Sequence, residues 1–311
     1  MKKVLITDKV HPHLVESLRA RDYFVDYIPN INYKEFLAVV VNYYGVVINS
    51  KIKMNKEAID KAHRLSFIAR LGSGLDIIDL VHANTKRIDV YSSPEGNRNA
   101  VAEHAVGMLL SLCNNLLRAD RELRRLEWNR EANRGMEMEG KTIGIIGFGN
   151  NGTEFAKKWQ NWNVKILAYD KYKKDYTKDF SWVQESNIEE IQEKADIISL
   201  HIPLTEETHH LINDDFIKNC QKSFILINCA RGKNIATKDL INGLNSGKIK
   251  GACLDVFENE KPQTFTISEQ NLYNQLYAME NVVLSPHIAG WTFSSFYKIA
   301  ASLSTQILGN Q

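Results

Sequence analysis

The sequence lacks long apolar runs. A basic pair at positions 2 and 3 is followed by only three apolar residues, Val4 to Ile6, whereas a secretory leader needs a longer apolar core. No stretch of the 311 residues approaches the about 20 apolar residues that a membrane helix requires. We therefore expect a soluble, cytoplasmic protein without a membrane partner.

Cysteine is scarce. The four cysteines are widely spaced, form no C-x-x-C pair and lie among leucine, isoleucine and alanine: Cys113, Cys220, Cys229 and Cys253. Such a distribution is typical of reduced thiols in a protein core rather than of metal ligands or a nucleophile. We expect no metal site, and a reducing compartment.

An excess of one charge is also absent. The chain carries 39 basic and 37 acidic residues, with a formal net charge of +2. This balance gives no large field of one sign, so nucleic acid or an anionic membrane is not the expected partner. A small anionic substrate would require only a local basic pocket.

Short apolar segments alternate with helical patterns over almost the whole chain, whose length suits two domains. Several of the segments are continuously apolar, as strands covered on both faces are. The alternation predicts an α/β fold with two doubly wound parallel sheets. The expected strands are 4–7, 25–28, 46–49, 67–71, 88–91, 142–147, 165–169, 197–200, 224–228, 251–254 and 282–285.

A turn-rich stretch at 92–97 marks the first domain boundary. The helical pattern that follows, 99–128, predicts one helix of roughly 45 Å, long enough to connect two domains. A second helical pattern, 293–308, lies near the other end of the sequence.

One glycine motif follows a predicted strand directly. Gly147-Phe148-Gly149-Asn150-Asn151-Gly152 stands between strand 142–147 and the helical pattern 153–162. Glycines in this setting allow a tight turn and let a pyrophosphate approach the helix N-terminus. The motif predicts a dinucleotide site, although methyltransferases and other nucleotide-binding proteins use the same spacing.

Asp170 ends the next predicted strand, where an acidic side chain can bind the adenosine ribose hydroxyls. A carboxylate there favours NAD because it repels a 2′-phosphate. The adjacent Lys171 leaves NADP open as an alternative.

Side chains that can bind anions or transfer protons follow three later predicted strands. Arg231 comes after 224–228, Asp255 and Glu260 come after 251–254, and His287 comes after 282–285. Ligands in open parallel sheets bind beyond the carboxyl ends of the strands. The three segments are therefore expected to meet in one crevice.

With these motifs, the chain resembles the D-isomer-specific 2-hydroxyacid dehydrogenases, and within them the D-3-phosphoglycerate dehydrogenase branch in a short form without a regulatory C-terminal domain. Further matching segments are 69–79, 99–105 and 195–205. The resemblance implies a Rossmann NAD domain, 98–289, inserted in a flavodoxin-like substrate domain, 1–97 plus 290–311. It places the active site in the interdomain cleft.

The resemblance also implies Arg231, Glu260 and His287 as catalytic residues. His287 would exchange a proton with the substrate oxygen, and Glu260 would fix the imidazole tautomer and raise its pKa. Arg231 would orient the substrate carboxylate and carbonyl. Glu258 is close enough in sequence to be an alternative partner of the histidine, and Lys261 stands where the family usually has proline.

The remaining site residues are implied by the same resemblance. The cofactor-binding residues are Gly147, Gly149, Asn150, Asn151, Gly152, Asp170, His201, Pro203, Ala230 and Asp255. Asp255 would hold the nicotinamide carboxamide, whereas His201 is expected to pack near the cofactor rather than carry a proton. The substrate-binding residues are Ser73, Gly74, Arg231, Lys51 and Lys53, with the backbone amides of Ser73 and Gly74 as a carboxylate cradle.

The expected reaction is NAD-dependent hydride transfer at C2 of a small D-2-hydroxy or 2-keto acid. The resemblance implies 3-phosphoglycerate and phosphohydroxypyruvate, because Lys51 and Lys53 stand where phosphoglycerate dehydrogenases place basic residues that meet the distal phosphate. Hydroxypyruvate, glyoxylate or another 2-hydroxy acid is the alternative. A non-catalytic, NAD(H)-responsive binding protein is a further alternative. The resemblance also implies a homodimer formed largely through the NAD domains, and the many apolar residues of 99–128 agree with it.

Overall fold

The computed structural model describes residues 2–309 and divides into two compact units. Asn99–Gly290 forms the second unit, and the segments on either side of it together form the first. Each unit contains one parallel sheet with helices, so the predicted α/β class with two parallel-sheet domains is confirmed.

The first unit contains a five-stranded parallel sheet in the order β2-β1-β3-β4-β5, which is the flavodoxin-like order. Its strands are β1 (Lys2–Ile6), β2 (Tyr23–Tyr27), β3 (Gly45–Ile48), β4 (Phe67–Arg70) and β5 (Asp89–Tyr91). β3 is buried along its whole length. Continuous burial explains why this segment is apolar throughout instead of alternating.

Helices cover this sheet. They are α1 (Pro12–Arg19), α2 (Tyr33–Val39), α3 (Lys56–Lys61), α4 (Leu80–Thr85) and α12 (Phe293–Leu308). Asn32 and Glu35 form a capping box at the start of α2, which satisfies two backbone N–H groups of the first turn. In one core cluster, Ala300 and Leu303 of α12 pack with Val4 and Ile6 of β1. The chain segment after the second unit therefore contributes to the core of the first.

The second unit contains a seven-stranded parallel sheet in the order β12-β11-β10-β9-β6-β7-β8. Its strands are β6 (Thr142–Ile146), β7 (Lys165–Tyr169), β8 (Val183–Glu185), β9 (Ile197–Leu200), β10 (Phe224–Asn228), β11 (Ile249–Leu254) and β12 (Val282–Leu284). β6 lies between β7 and β9, and the strand order reverses at this point. Ligands of doubly wound sheets bind at such a switch point.

The helices of this unit begin with α5 (Pro94–Cys113), whose first residues belong to the first unit. The others are α6 (Leu116–Arg124), α7 (Asn150–Lys158), α8 (Ile188–Lys194), α9 (Asp214–Asn219), α10 (Thr237–Asn245) and α11 (Ile267–Tyr277). Two apolar clusters form the core. All four cysteines are free and buried, and burial raises the pKa of Cys113 and of Cys220 to about 11, as expected for unreactive core thiols.

The prediction of one long helix over 99–128 was wrong. α5 ends at Cys113, and α6 starts after Asn115, which adopts a left-handed backbone with φ of 51°. The two helices are bent by 61° at this break. No single helix among residues 2–309 is long and apolar enough to cross a membrane, and only this bent pair meets the criterion jointly, by length and composition.

The strand predictions hold for all eleven segments, with ends shifted by up to two residues. The sequence pattern did not predict β8, a three-residue edge strand in which only Val183 is buried. The predicted start of α7 was three residues late, because Asn150 and Asn151 are weak helix formers. In the structure, helix α7 starts directly after Gly149.

Candidate functional site

The glycine turn between β6 and α7 is shaped by close backbone packing. Gly147 has a φ of 94°, and a Cβ there would lie 2.5 Å from the carbonyl oxygen of His201. A Cβ on Gly152 would lie 2.0 Å from the carbonyl oxygen of Gly147. Gly149, the N-cap of α7, has open space at its Cβ position and makes no side-chain cap. The N-terminal N–H groups of α7 thus face space that an anionic group can enter.

Asp170 fixes the loop that follows β7. Its Oδ2 accepts a hydrogen bond from the backbone N–H of Phe148 at 3.0 Å, and its Oδ1 accepts from those of Tyr172 and Lys173. The carboxylate therefore ties the glycine turn to the next strand end. A carboxylate has about four lone-pair sites, so these three hydrogen bonds leave about one, on Oδ2, for a ribose hydroxyl.

A cavity of about 530 Å³ opens at this edge of the sheet. Gly147, Gly149 and Asp170 line it together with His201 and Pro203. The His201 ring lies beside Phe155, with 5.0 Å between ring centroids, and its Nε2 is 2.9 Å from Ser199 Oγ. Burial lowers the pKa of His201 to about 3, so the ring is neutral at physiological pH. The open space at Gly149, the N-terminus of α7, the Asp170 carboxylate and the apolar wall together fit NAD.

The Arg231 turn follows β10 and is organised by Asn228, which is fully buried. Asn228 Oδ1 accepts from the N–H of Ala230 at 3.0 Å, and its Nδ2 donates to the carbonyl of Arg231 at 2.9 Å. The Arg231 guanidinium donates from Nη1 to the carbonyl of Ala230 at 2.7 Å. Asn228 was not predicted as a site residue, although an asparagine that ends an otherwise apolar strand is a usable signal.

His287 and Glu260 form a hydrogen-bonded pair. His287 Nδ1 donates to Glu260 Oε2 at 2.8 Å, which leaves Nε2 for a ligand. The hydrogen bond to Glu260 raises the pKa of His287 against the opposing effect of its own burial. Burial acts to raise the pKa of Glu260. The hydrogen bonds from His287 and from the backbone N–H of Phe257 lower it by more, so the pKa of Glu260 lies below its usual value. The geometry suits proton exchange at Nε2.

Glu258 has different partners. Its Oε2 lies 2.8 Å from Nε2 of His210, and its Oε1 accepts from the backbone N–H of Thr237, the first residue of α10. Glu260, not Glu258, therefore contacts His287. Sequence alone left this choice open, because both acids lie at similar distances from His287 along the chain.

Asp255 is 1% exposed and holds the loop that carries His287. Its Oδ1 accepts from Ser285 Oγ at 2.6 Å and from the N–H of Ile288 at 2.8 Å, and its Oδ2 accepts from the N–H of Ala289 at 2.8 Å. His104 Nε2 is 2.8 Å from the same Ser285 hydroxyl. The backbone of His287, which has a left-handed φ of 56°, donates to the Asp255 carbonyl at 2.7 Å. These hydrogen bonds hold the strained backbone in place.

A second cavity of about 310 Å³ contains the expected catalytic residues Arg231, Glu260 and His287. Lys233 and Lys261 also line it. The cavity thus combines a titratable imidazole with three cationic side chains and with two carboxylates, those of Glu258 and Glu260. Its cationic groups can bind a small anionic molecule.

The predicted carboxylate cradle lies in the first unit, in the loop after β4. Gly72 has a φ of 131°, and its carbonyl accepts from the N–H of Ser93. Within residues 2–309, the hydrogen bonds leave the N–H groups of Ser73 and Gly74 without a protein acceptor. These two amides are thus available to an anionic ligand.

The two lysines predicted to meet a phosphate also lie in the first unit, in the loop after β3. Lys51 Nζ donates to the carbonyl of Pro29 at 2.5 Å and lies 3.9 Å from Asp8 Oδ1. Lys53 is exposed. Lys51 therefore already has protein partners, which the sequence could not show because Pro29 and Asp8 are distant along the chain.

The family model for the NAD binding domain of D-isomer specific 2-hydroxyacid dehydrogenases matches residues 106–289. The chain belongs to this family, as its sequence motifs predicted, and it carries the family's NAD-binding domain.

Among curated relatives, D-3-phosphoglycerate dehydrogenase of Methanocaldococcus jannaschii is 34% identical over 288 residues, which are 92% of this chain and 53% of that protein. Hydroxypyruvate reductase of Thermotoga maritima is 35% identical over 273 residues, 88% of this chain and 86% of that protein. The chain thus spans about half the length of the D-3-phosphoglycerate dehydrogenase it matches.

A solved structure with the same fold is D-lactate dehydrogenase from Aquifex aeolicus, complexed with NAD and lactic acid. It has a TM-score of 0.85 and 27% sequence identity, and the match covers 99% of this chain and 94% of that one. The predicted family fold is therefore confirmed over nearly the whole sequence.

Proposed function

We propose that the protein is an NAD-dependent oxidoreductase that interconverts a small D-2-hydroxy acid and its 2-keto acid. The observation that carries the proposal is the 2.8 Å hydrogen bond between His287 Nδ1 and Glu260 Oε2, in a cavity that Arg231 also lines. It supports the proposal that a proton carrier and a carboxylate-binding group act together on an NAD-binding domain.

Each of these residues has a defined task. His287 Nε2 donates a proton to the carbonyl oxygen of the keto acid during reduction and accepts it from the hydroxyl group during oxidation. Glu260 keeps Nδ1 protonated and stabilises the imidazolium. Arg231 binds the substrate carboxylate. NAD, when bound, supplies the acceptor or donor of the hydride.

Steady-state NADH oxidation tests the proposal with hydroxypyruvate, phosphohydroxypyruvate, glyoxylate and pyruvate. Turnover is expected on at least one of these four 2-keto acids. Tight NADH binding without turnover on any of them would instead indicate a non-catalytic, NAD(H)-responsive binding protein.

The Glu260→Gln variant is expected to shift the pH profile. Glu260 raises the pKa of His287, so its neutralisation lowers that pKa, and less imidazolium remains at a given pH. Reduction requires the protonated ring. As the pH rises, the rate of reduction should therefore begin to fall at a lower pH in the variant than in the unmodified enzyme. The measurement is kcat/KM for the keto acid across pH 5–10.

Glu258→Gln is the matched control, because Glu258 contacts His210 and Thr237 instead of His287. Its pH profile should follow that of the unmodified enzyme. A shift in this variant, with none in Glu260→Gln, would assign the tuning of the histidine to Glu258.

Phosphohydroxypyruvate is the substrate that the lysine pair and the phosphoglycerate dehydrogenase relatives support. Hydroxypyruvate is the second candidate, favoured by one observation: Lys51 already donates to Pro29 and lies near Asp8. A carboxylate close to this ammonium group opposes the approach of a phosphate dianion.

A Lys51→Ala, Lys53→Ala double variant distinguishes the two substrates. If these ammonium groups bind the phosphate, kcat/KM for phosphohydroxypyruvate falls about five-fold or more, while the value for hydroxypyruvate changes less than about two-fold. Lys34→Ala, Lys56→Ala serves as a control, since both lysines are exposed and belong to the same unit. Equal losses on both substrates would remove the phosphate from the proposal.

We also infer a cytoplasmic homodimer. Five large apolar side chains on and after α6 are exposed: Leu116, Leu117, Leu123, Leu126 and Trp128. Such a concentration is unusual for a surface that contacts only water, and the four free thiols suit a reducing compartment. Light scattering at micromolar concentration should give twice the chain mass, and a monomer mass would refute the dimer.

A further inference from the structure

The loops after β7 and β9 lie on opposite sides of β6, because β6 stands between these two strands in the sheet. Lys171 belongs to the first loop and Glu207 to the second, and both line the 530 Å³ cavity at the glycine turn. Asp170, the expected ribose-binding residue, lines the same cavity. Three charged side chains are thus placed where the adenosine end of a dinucleotide is expected.

Lys171 and Glu207 form an ion pair across this edge. Lys171 Nζ donates to Glu207 Oε2 at 2.5 Å, and both side chains are about half exposed, at 50% and 59%. The hydrogen bond raises the pKa of Lys171 and lowers that of Glu207. The ammonium group of Lys171, the residue that follows Asp170, is therefore held by a carboxylate from another loop.

The next lysine in this loop is also engaged. Lys173 Nζ donates to the carbonyl of Phe148 in the glycine turn at 2.9 Å. Two lysines of the basic run after β7 thus have acceptors in the protein. Lys171 donates to Glu207, and Lys173 donates to the carbonyl of Phe148.

We propose that Glu207 determines cofactor choice by occupying Lys171. A 2′-phosphate on the adenosine ribose would meet the carboxylate of Asp170, and Lys171, the cation that lines the same cavity, is already paired with Glu207. Glu207 also adds its own negative charge to the cavity wall. Selectivity for NAD over NADP then rests on two acids. Asp170 repels the 2′-phosphate, and Glu207 pairs with Lys171 so that its ammonium group does not bind the phosphate.

The proposal deepens the proposed function, on which it rests only for the use of a nicotinamide cofactor. Its test therefore uses two ligands without nicotinamide, 5′-AMP and 2′,5′-ADP, which differ by the 2′-phosphate. Binding is measured by calorimetry at low ionic strength, and NADH and NADPH are then compared by fluorescence titration. None of these measurements needs turnover, so a failed substrate assay leaves them interpretable.

The Glu207→Gln variant should bind 2′,5′-ADP about five-fold more tightly, which is the effect of one exposed charge pair. Binding of 5′-AMP should change less than about two-fold. The gain should shrink in about 0.5 M salt, because exposed charges are screened there. Glu206→Gln is the matched control: it removes the same charge one position earlier, and Glu206 is exposed and is not among the residues that line the cavity.

The Glu207→Gln, Lys171→Ala double variant isolates the lysine. Its affinity for 2′,5′-ADP should return to about that of the unmodified protein, because the released ammonium group is gone. A gain that persists in the double variant would overturn the role of Lys171. Unchanged 2′,5′-ADP binding in Glu207→Gln, or an equal gain in Glu206→Gln, would overturn the proposal as a whole.

Discussion

The His287→Gln variant is expected to lose about a thousand-fold in kcat while it binds NADH with unchanged affinity. Glutamine keeps a polar group at this position but carries no titratable proton. The cavity that fits NAD is lined by other residues, Gly149, Asp170 and His201 among them. Single-turnover kinetics with the best 2-keto acid and NADH fluorescence titration measure the two quantities separately.

His210→Gln is the control for this experiment. His210 also contacts a glutamate, with 2.8 Å between its Nε2 and Glu258 Oε2, but it is not among the residues that line the catalytic cavity. Its kcat should stay within about three-fold of the unmodified enzyme. Normal turnover in His287→Gln would refute the assignment of the proton carrier.

The Gly152→Ala variant is expected to unfold at a markedly lower temperature. A Cβ at this position would lie 2.0 Å from the carbonyl oxygen of Gly147, which is backbone and cannot rotate away. Helix α7 and the glycine turn must therefore separate, at a cost of about 2–3 kcal/mol or more in the free energy of unfolding. Differential scanning calorimetry should show a fall in Tm of about 5–10 °C.

Gly149→Ala provides the contrast. Its backbone φ of −82° is accessible to alanine, and no described atom lies within 4 Å of the Cβ position. The Tm should change by less than about 2 °C, yet NADH should bind at least about ten-fold more weakly, since the methyl group occupies space left for the pyrophosphate. Equal Tm values for Gly149→Ala and Gly152→Ala would show that close packing at Gly152 does not limit stability.

The sheets could be predicted because buried parallel strands appear in the sequence as continuously apolar segments. Strand β10 is apolar until its last residue and buried throughout, and its burial on both faces removes the alternation that a half-exposed strand would show. The glycine motif could also be predicted, because its glycines meet local structural requirements: a left-handed backbone at Gly147 and close packing at Gly152.

Features that depend on distant partners could not be predicted. The break between α5 and α6 depends on Asn115 adopting a left-handed backbone, which asparagine tolerates but does not impose. The partner of Lys51 is a backbone carbonyl 22 positions away. Glu258 and Glu260 differ in the side chains that they meet, not in their local sequence. Periodicity and motif spacing do not contain this information.

The discontinuity of the first unit has a consequence for synthesis on the ribosome. Its core includes Ala300 and Leu303 of α12, which pack with the strand that begins the sheet. The whole second unit is translated between these two parts, which takes roughly 10–40 s at about 5–20 residues per second. During this time the strands of the first unit have left the ribosome, but part of their apolar surface stays uncovered. The nascent chain is therefore most exposed to chaperone binding and aggregation before α12 emerges.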